Sequence, residues 1–386
     1  MEKVDRPLGP VVVDIAGTSL TDEEVKILQN PMVGMVILFT RNYENREQLH
    51  NLTHDIHSLR NPSLLIGVDH EGGRIQRFRE EFTKIPSARS LGQLYDTDPQ
   101  RAHNLTAACG LVMASELRAC GVDFTFAPCL DLDYGQSAVI GNRAFHRNPR
   151  VVSILATAMV SGMAQAGMAC CGKHFPGHGD TAVDSHLGLP CIDKPLAELE
   201  ETELLPFRAA IESGIPAIMS SHILFPQIEK ENVPATMSAT IMRGILRGRL
   251  GFNGLTLSDC MVMDAIRKHY GTADGVVAAL RAGVDIVFVS SDIDLQRESA
   301  AAVLAAAERG EFDETDMAES VDRILSAKAK YAFTDAEPEL CGRPEDFAAA
   351  RDISRRAITA LDGAVSRADE NLSLIHISEP TRLGMI

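Results

Sequence analysis

Short apolar runs recur along the chain at Val11 to Ile15, Val33 to Phe39, Leu64 to Val68, Val122 to Ala127, Met168 to Cys171, Ala217 to Met219, Leu255 to Leu257 and Val284 to Val289. The fifth, within Gly167 to Gly172 (GMACCG), is of the sort that fits a strand buried on both faces, as in a parallel sheet. Each run is followed by a stretch with helix-like spacing; after the fifth, Leu196 to Ser213 places Leu196, Leu199, Leu204, Phe207 and Ile211 on one stripe among acids and reads as one helix. Eight strands alternating with helices predict a closed (β/α)8 barrel rather than an open doubly wound sheet. No G-x-G-x-x-G opens the first helix, which weakens a dinucleotide-binding reading.

A barrel of this kind carries its chemistry just after its strands. Polar residues gather at those positions: Asp69 to Arg74 after the third run, Asp131, Asp133 and Arg143 after the fourth, Ser220, Ser221 and His222 after the sixth, Ser258 and Asp259 after the seventh. Any one of these could be a helix cap or a surface charge. Their convergence on one rim argues for a site.

The densest cluster follows the fifth run. Lys173 to His186, KHFPGHGDTAVDSH, holds His174, His178, His186, Lys173, Asp180 and Asp184, and Pro176, Gly177 and Gly179 break helical and strand patterns, so the whole segment reads as a loop carrying titratable side chains.

VGMVILFTRN, GVDHEGGRIQRFR, VIGNRAF, KHFPGHGDTAVDSH and LSDCMVMDAI, in this order, resemble glycoside hydrolase family 3, specifically its β-N-acetylglucosaminidases, from about Gly9 to Phe333. The resemblance implies retaining hydrolysis of terminal β-linked N-acetylglucosamine, as in bacterial cell-wall muropeptide recycling. Asp259 aligns with the family's nucleophile, a carboxylate that stabilises an oxocarbenium-like transition state and then forms a glycosyl ester. The subgroup with DSH in this loop uses a histidine backed by an aspartate as acid and base, here His186 and Asp184. An imidazole titrates near working pH, and a neighbouring carboxylate fixes its tautomer and stabilises the imidazolium. By the same resemblance Asp69, Arg143, Lys173 and His174 contact the hydroxyls of the non-reducing sugar. Arg74 is expected to orient a neighbouring carboxylate, and His178 and His222 stay open between a site role and a structural one. Cys260 stands where many members carry a second aspartate after the nucleophile.

Two other readings draw on the same residues. A metal-dependent hydrolase would draw on His174, His178, His186 and His222 with Asp180 or Asp184, but Pro176 and Gly177 keep His174 and His178 off a shared helical face. A phosphorylase, or a β-glucosidase of the same family, keeps the fold; a histidine acid/base, unlike a glutamate, does not repel phosphate. The expectation is a hydrolase with no metal and no cofactor.

At 386 residues and 45% hydrophobic, the chain can bury one large core. A formal net charge of -16 argues against nucleic acid or an anionic membrane as partner, leaving a small carbohydrate substrate. Eight cysteines without a C-x-x-C pair read as reduced thiols of a cytoplasmic protein, and the start MEKVDRPLGPVVVD has no export-type apolar region. Residues 1–333 are assigned to the catalytic barrel and 334–370 to a linker and helical start of a possible C-terminal α/β domain, a remnant resembling that of longer family members. The tail 371–386 is read as not native to the family.

Overall fold

The structure, a computed structural model, describes residues 9–181 and 189–332. Eight parallel strands close into a barrel: β1 (Val11–Asp14), β2 (Val33–Leu38), β3 (Leu65–Val68), β4 (Phe124–Thr125), β5 (Ala169–Phe175), β6 (Ala217–Ser220), β7 (Leu255–Cys260) and β8 (Ile286–Phe288). Each strand pairs with its neighbours in sequence, and β8 pairs back onto β1. Helices cover the outside, so the barrel expected from the eight apolar runs is the one observed.

Both strand faces are buried, by different partners. Val12, Met35, Leu65, Phe124, Phe126, Cys171, Met219, Leu257 and Phe288 point inward and fill the barrel, and Ile324 from the last helix, Glu314–Tyr331, joins this inner cluster. Val11, Val13, Val36, Leu38, Ile66 and Val68, on alternate positions, pack outward against the helices. Because both faces are covered, apolar residues are favoured at successive strand positions.

Helix starts follow local chemistry. Thr21 and Glu24 form a capping box on Asp22–Leu28, and Asn148 caps Pro149–Gln165 with proline in the first turn. No described helix is long and apolar enough to cross a membrane.

Three boundaries differ from expectation, each for a reason that concerns the site. β4 shrinks to Phe124–Thr125, because the chain beyond it turns to bring Asp131 under β5. β5 runs on to Phe175, so Lys173 and His174 lie on a buried strand and not in a loop. Two carboxylates beside the Lys173 ammonium allow a charge at a central-strand position. The expected single helix from Leu196 to Ser213 is two, Leu196–Glu201 and Leu204–Glu212; between them Glu203 turns inward to meet Lys194 and Tyr134.

Candidate active site

The C-terminal strand ends open onto a cavity of ≈ 640 Å³. Asp69 after β3, Arg143, Lys173 and His174 on β5, and Asp259 on β7 all line it, so five residues singled out from the sequence meet in one place. Asp184 and His186 lie outside the described residues.

One wall is a charge network. Lys173 Nζ lies 2.8 Å from Asp69 and 2.7 Å from Glu71, and Arg143 donates from Nε at 2.9 Å and from a terminal nitrogen at 2.8 Å to the two oxygens of Glu71. Arg77 closes the row, 3.3 Å from the second oxygen of Asp69. Burial pushes the Asp69 and Glu71 carboxyls upward, but Lys173 with Arg77, and Arg143 with Lys173, outweigh it and hold both below their ordinary range. Burial likewise opposes the Lys173 ammonium, and Asp69 and Glu71 more than offset it. The wall thus presents fixed acceptors and donors, the pattern that hydroxyl groups read.

Asp131 organises the end of β5. Its carboxylate accepts from the backbone N–H of His174 and of His178 and from His174 Nδ1, at 3.2, 2.7 and 2.7 Å. Those bonds keep it ionised against burial, with His174 the largest favourable influence. The Nδ1 contact fixes the His174 tautomer. Gly179 passes so close to this turn that a Cβ on it would stand 1.9 Å from the Leu132 carbonyl oxygen. His178 lines the cavity; burial first, then His174, pulls its pKa down to about 4.

Opposite, Asp259 Oδ1 accepts from the Cys260 backbone N–H at 2.7 Å. His222 is buried, with Nε2 donating to the Cys260 carbonyl at 3.0 Å and Nδ1 3.0 Å from the Thr236 hydroxyl. It holds the backbone that carries Asp259, a supporting role. Cys260 lines the cavity with its thiol 3.1 Å from the Ser290 hydroxyl.

Some rim residues do other work. Among the described residues Arg74 donates to Asn142 and to the carbonyls of Ala138, Val139 and Ile140, bracing the loop that presents Arg143. Ser221 donates to Phe175, Ser258 accepts from Phe288, and Asp133 pairs with Arg89 away from the cavity. Glu71 and Arg77 were missed by sequence reasoning. A glutamate beside Asp69 in a run with two arginines was the available signal; only the fold shows that the charges interleave.

One described group has metal-ligand spacing: Cys129, Asp131 and His174, all buried. Its oxygens are already taken by N–H donors, and burial followed by Asp131 holds the Cys129 thiol protonated. As a donor set it is a hydrogen-bond network rather than a ready cation site.

The sequence profile of the "Glycosyl hydrolase family 3 N terminal domain" matches residues 6–327. A "Beta-hexosaminidase" of Bordetella avium is 49% identical over 290 residues, spanning 75% of this chain and 82% of that protein. Among solved structures, a family 3 β-N-acetylglucosaminidase of Paenibacillus sp. superposes with TM-score 0.86 at 34% identity, covering 92% of this chain and 69% of that one. Native NagZ of Neisseria gonorrhoeae superposes with TM-score 0.78 at 41% identity, covering 90% and 98%.

Proposed function

This chain belongs to glycosyl hydrolase family 3 and is a glycoside hydrolase, and from that premise we propose that it removes terminal non-reducing β-linked N-acetylglucosamine with retention at C1. The observation that supports this most directly is the pairing of a hydroxyl-reading charge wall, Asp69, Lys173, Glu71 and Arg143, with Asp259 in one cavity. The names borne by the Bordetella and Paenibacillus relatives support the N-acetylhexosamine class.

In this mechanism the sugar seats its hydroxyls on Asp69, Arg143, Lys173 and His174. Asp259 attacks the anomeric carbon as the glycosidic C–O bond breaks, and the His186 imidazolium, backed by Asp184, gives its proton to the departing oxygen. The neutral imidazole then takes a proton from water, whose oxygen attacks C1 and releases Asp259. Neutral His178 beside the site is suited to hydrogen bonding without adding positive charge.

The physiological role we propose is muropeptide recycling or chitooligosaccharide breakdown in the cytoplasm, where thiols such as those of the described cysteines, all free, stay reduced. Residues 1–333 form the catalytic unit in this reading; 334–370 as the start of a second domain and 371–386 as a non-family tail lie outside the described residues.

Hydrolysis of nitrophenyl glycosides differing only at C2, followed by NMR of the first-formed anomer, tests the proposal. The N-acetylglucosaminide should turn over at least about tenfold faster than the glucoside, with β product first. Equal rates would overturn the substrate assignment, and an α product would overturn the covalent route.

A further inference from the structure

Asp184 and His186 lie in the chain between Asp180 and Lys194, and the described residues on either side form two stems. The leading stem is fixed at His178, through Asp131, and at Gly179, against Leu132. The returning stem is fixed by paired backbone bonds, Ile192 N–H to the Leu224 carbonyl and Leu224 N–H to the Pro190 carbonyl, both 2.9 Å. Among the described residues, one ion pair directly joins the stems: Lys194 Nζ lies 2.8 Å from Asp180 Oδ2.

The ammonium has further acceptors. It donates to Glu203 Oε1 at 2.9 Å and to the Tyr134 hydroxyl oxygen at 3.2 Å, and it sits 4.5 Å from the centroid of the Tyr134 ring. Tyr134 in turn donates to Glu203 at 2.7 Å, and Gln136 donates to Asp180 at 2.5 Å. Burial opposes the Lys194 charge, but hydrogen bonds to Asp180, Glu203 and Tyr134 outweigh it and keep the amine protonated well above its usual range.

Glu203 is 1% exposed and needs a cation whatever the chemistry of the site. Asp180 does not: its side chain is 24% exposed and could be solvated alone. Its engagement by both Lys194 and Gln136 is surplus to burying charge, and what it adds is a defined separation between the stems.

We propose that Lys194 and Asp180 are positioning residues, a brace that sets the spacing of the two stems and through it the reach of the His186 imidazole to the leaving-group oxygen. This rests on the reading of Asp184 and His186 as the acid/base pair.

The test uses Asp180→Asn, which spares the Lys194–Glu203–Tyr134 contacts. With phenyl N-acetylglucosaminide, whose departure needs a proton, kcat/KM should fall about tenfold; with the 2,4-dinitrophenyl substrate it should stay within about twofold, and the thermal midpoint within about 2 °C. In a His186→Ala background, Asp180→Asn should cost less than about twofold further on the phenyl substrate, because the residue it positions is gone. Equal losses on both substrates, no loss on either, or the same tenfold loss in the His186→Ala background would each overturn the brace. A His186→Ala variant that loses equally on both substrates removes the acid role of His186, which is a separate failure; coupling between positions 180 and 186 would still uphold the brace, and additivity would still end it.

Discussion

Glu71 grips Arg143 with both oxygens, at 2.9 Å from Nε and 2.8 Å from a terminal nitrogen, and the same carboxylate lies 2.7 Å from Lys173. One buried acid therefore orients two of the cations that line the cavity. Glu71→Gln keeps the shape and removes the charge, leaving Asp69 as the ion-pair partner of Lys173 and as a remaining counter-charge for Arg143. We expect destabilisation of about 3 kcal/mol, the scale for breaking a buried pair, with KM for the N-acetylglucosaminide raised about tenfold. Calorimetry and steady-state kinetics measure the two effects, and an unchanged thermal midpoint with unchanged KM would show the pair to be idle.

Asp259 as nucleophile predicts covalent labelling. A 5-fluoro N-acetylglucosaminyl fluoride should add one sugar mass to the protein, recovered on the peptide containing Asp259, and Asp259→Asn should abolish both labelling and all but a trace of turnover. Label on any other peptide reassigns the nucleophile. His186→Ala should lose about a hundredfold on phenyl leaving groups and far less on dinitrophenyl.

The turn after β5 is packed to contact at Gly179. Because an added Cβ would lie 1.9 Å from the Leu132 carbonyl, Gly179→Ala must displace the stem leading to Asp184 and His186. A shift near 1 Å is expected to cost about a hundredfold in kcat/KM. Gly17→Ala, with nothing within 4 Å of its Cβ and no unusual φ, is the control and should stay near wild type. Similar kinetics for the two variants would mean that the turn tolerates movement.

Acid sensitivity should trace to buried histidines. Burial first, then Arg79 and Arg77, pulls the His70 pKa down to about 3, in a site against Phe78 and Phe82 where its Nδ1 has no hydrogen-bond partner. Because the folded value lies below the unfolded one near 6.5, the unfolded chain binds the extra proton. The stability from a neutral His70 is complete above about pH 6.5 and declines as pH falls toward 3, by about 1.4 kcal/mol per unit. His178 acts in the same direction down to about 4. Thermal midpoints between pH 6.5 and 4.5 should fall less steeply in His70→Leu than in wild type, and parallel slopes would clear His70 of the effect.

The barrel was legible because eight short, largely apolar runs alternate with helix-like stretches, and strands buried on both faces have one common solution in such a chain. Asp69, Arg143, Lys173, His174 and Asp259 stood out through the resemblance of their motifs to family 3, and the structure gathers all of them around one cavity. The acidic net charge, a sum that needs no geometry, is likewise read from the sequence and argues against polyanionic partners.

What the tertiary structure decided was pairing. That Lys173 continues β5, that Glu71 and Arg77 complete the charge wall, that Arg74 serves carbonyls, and that Lys194 meets Asp180 and Glu203 are all contacts between distant segments. A local window shows that a residue is charged but not which charge faces it, and burial of an ion is tolerable only once its partner is in place. Such partners come from different strands of the closed barrel, so their distances exist only after the sheet has closed.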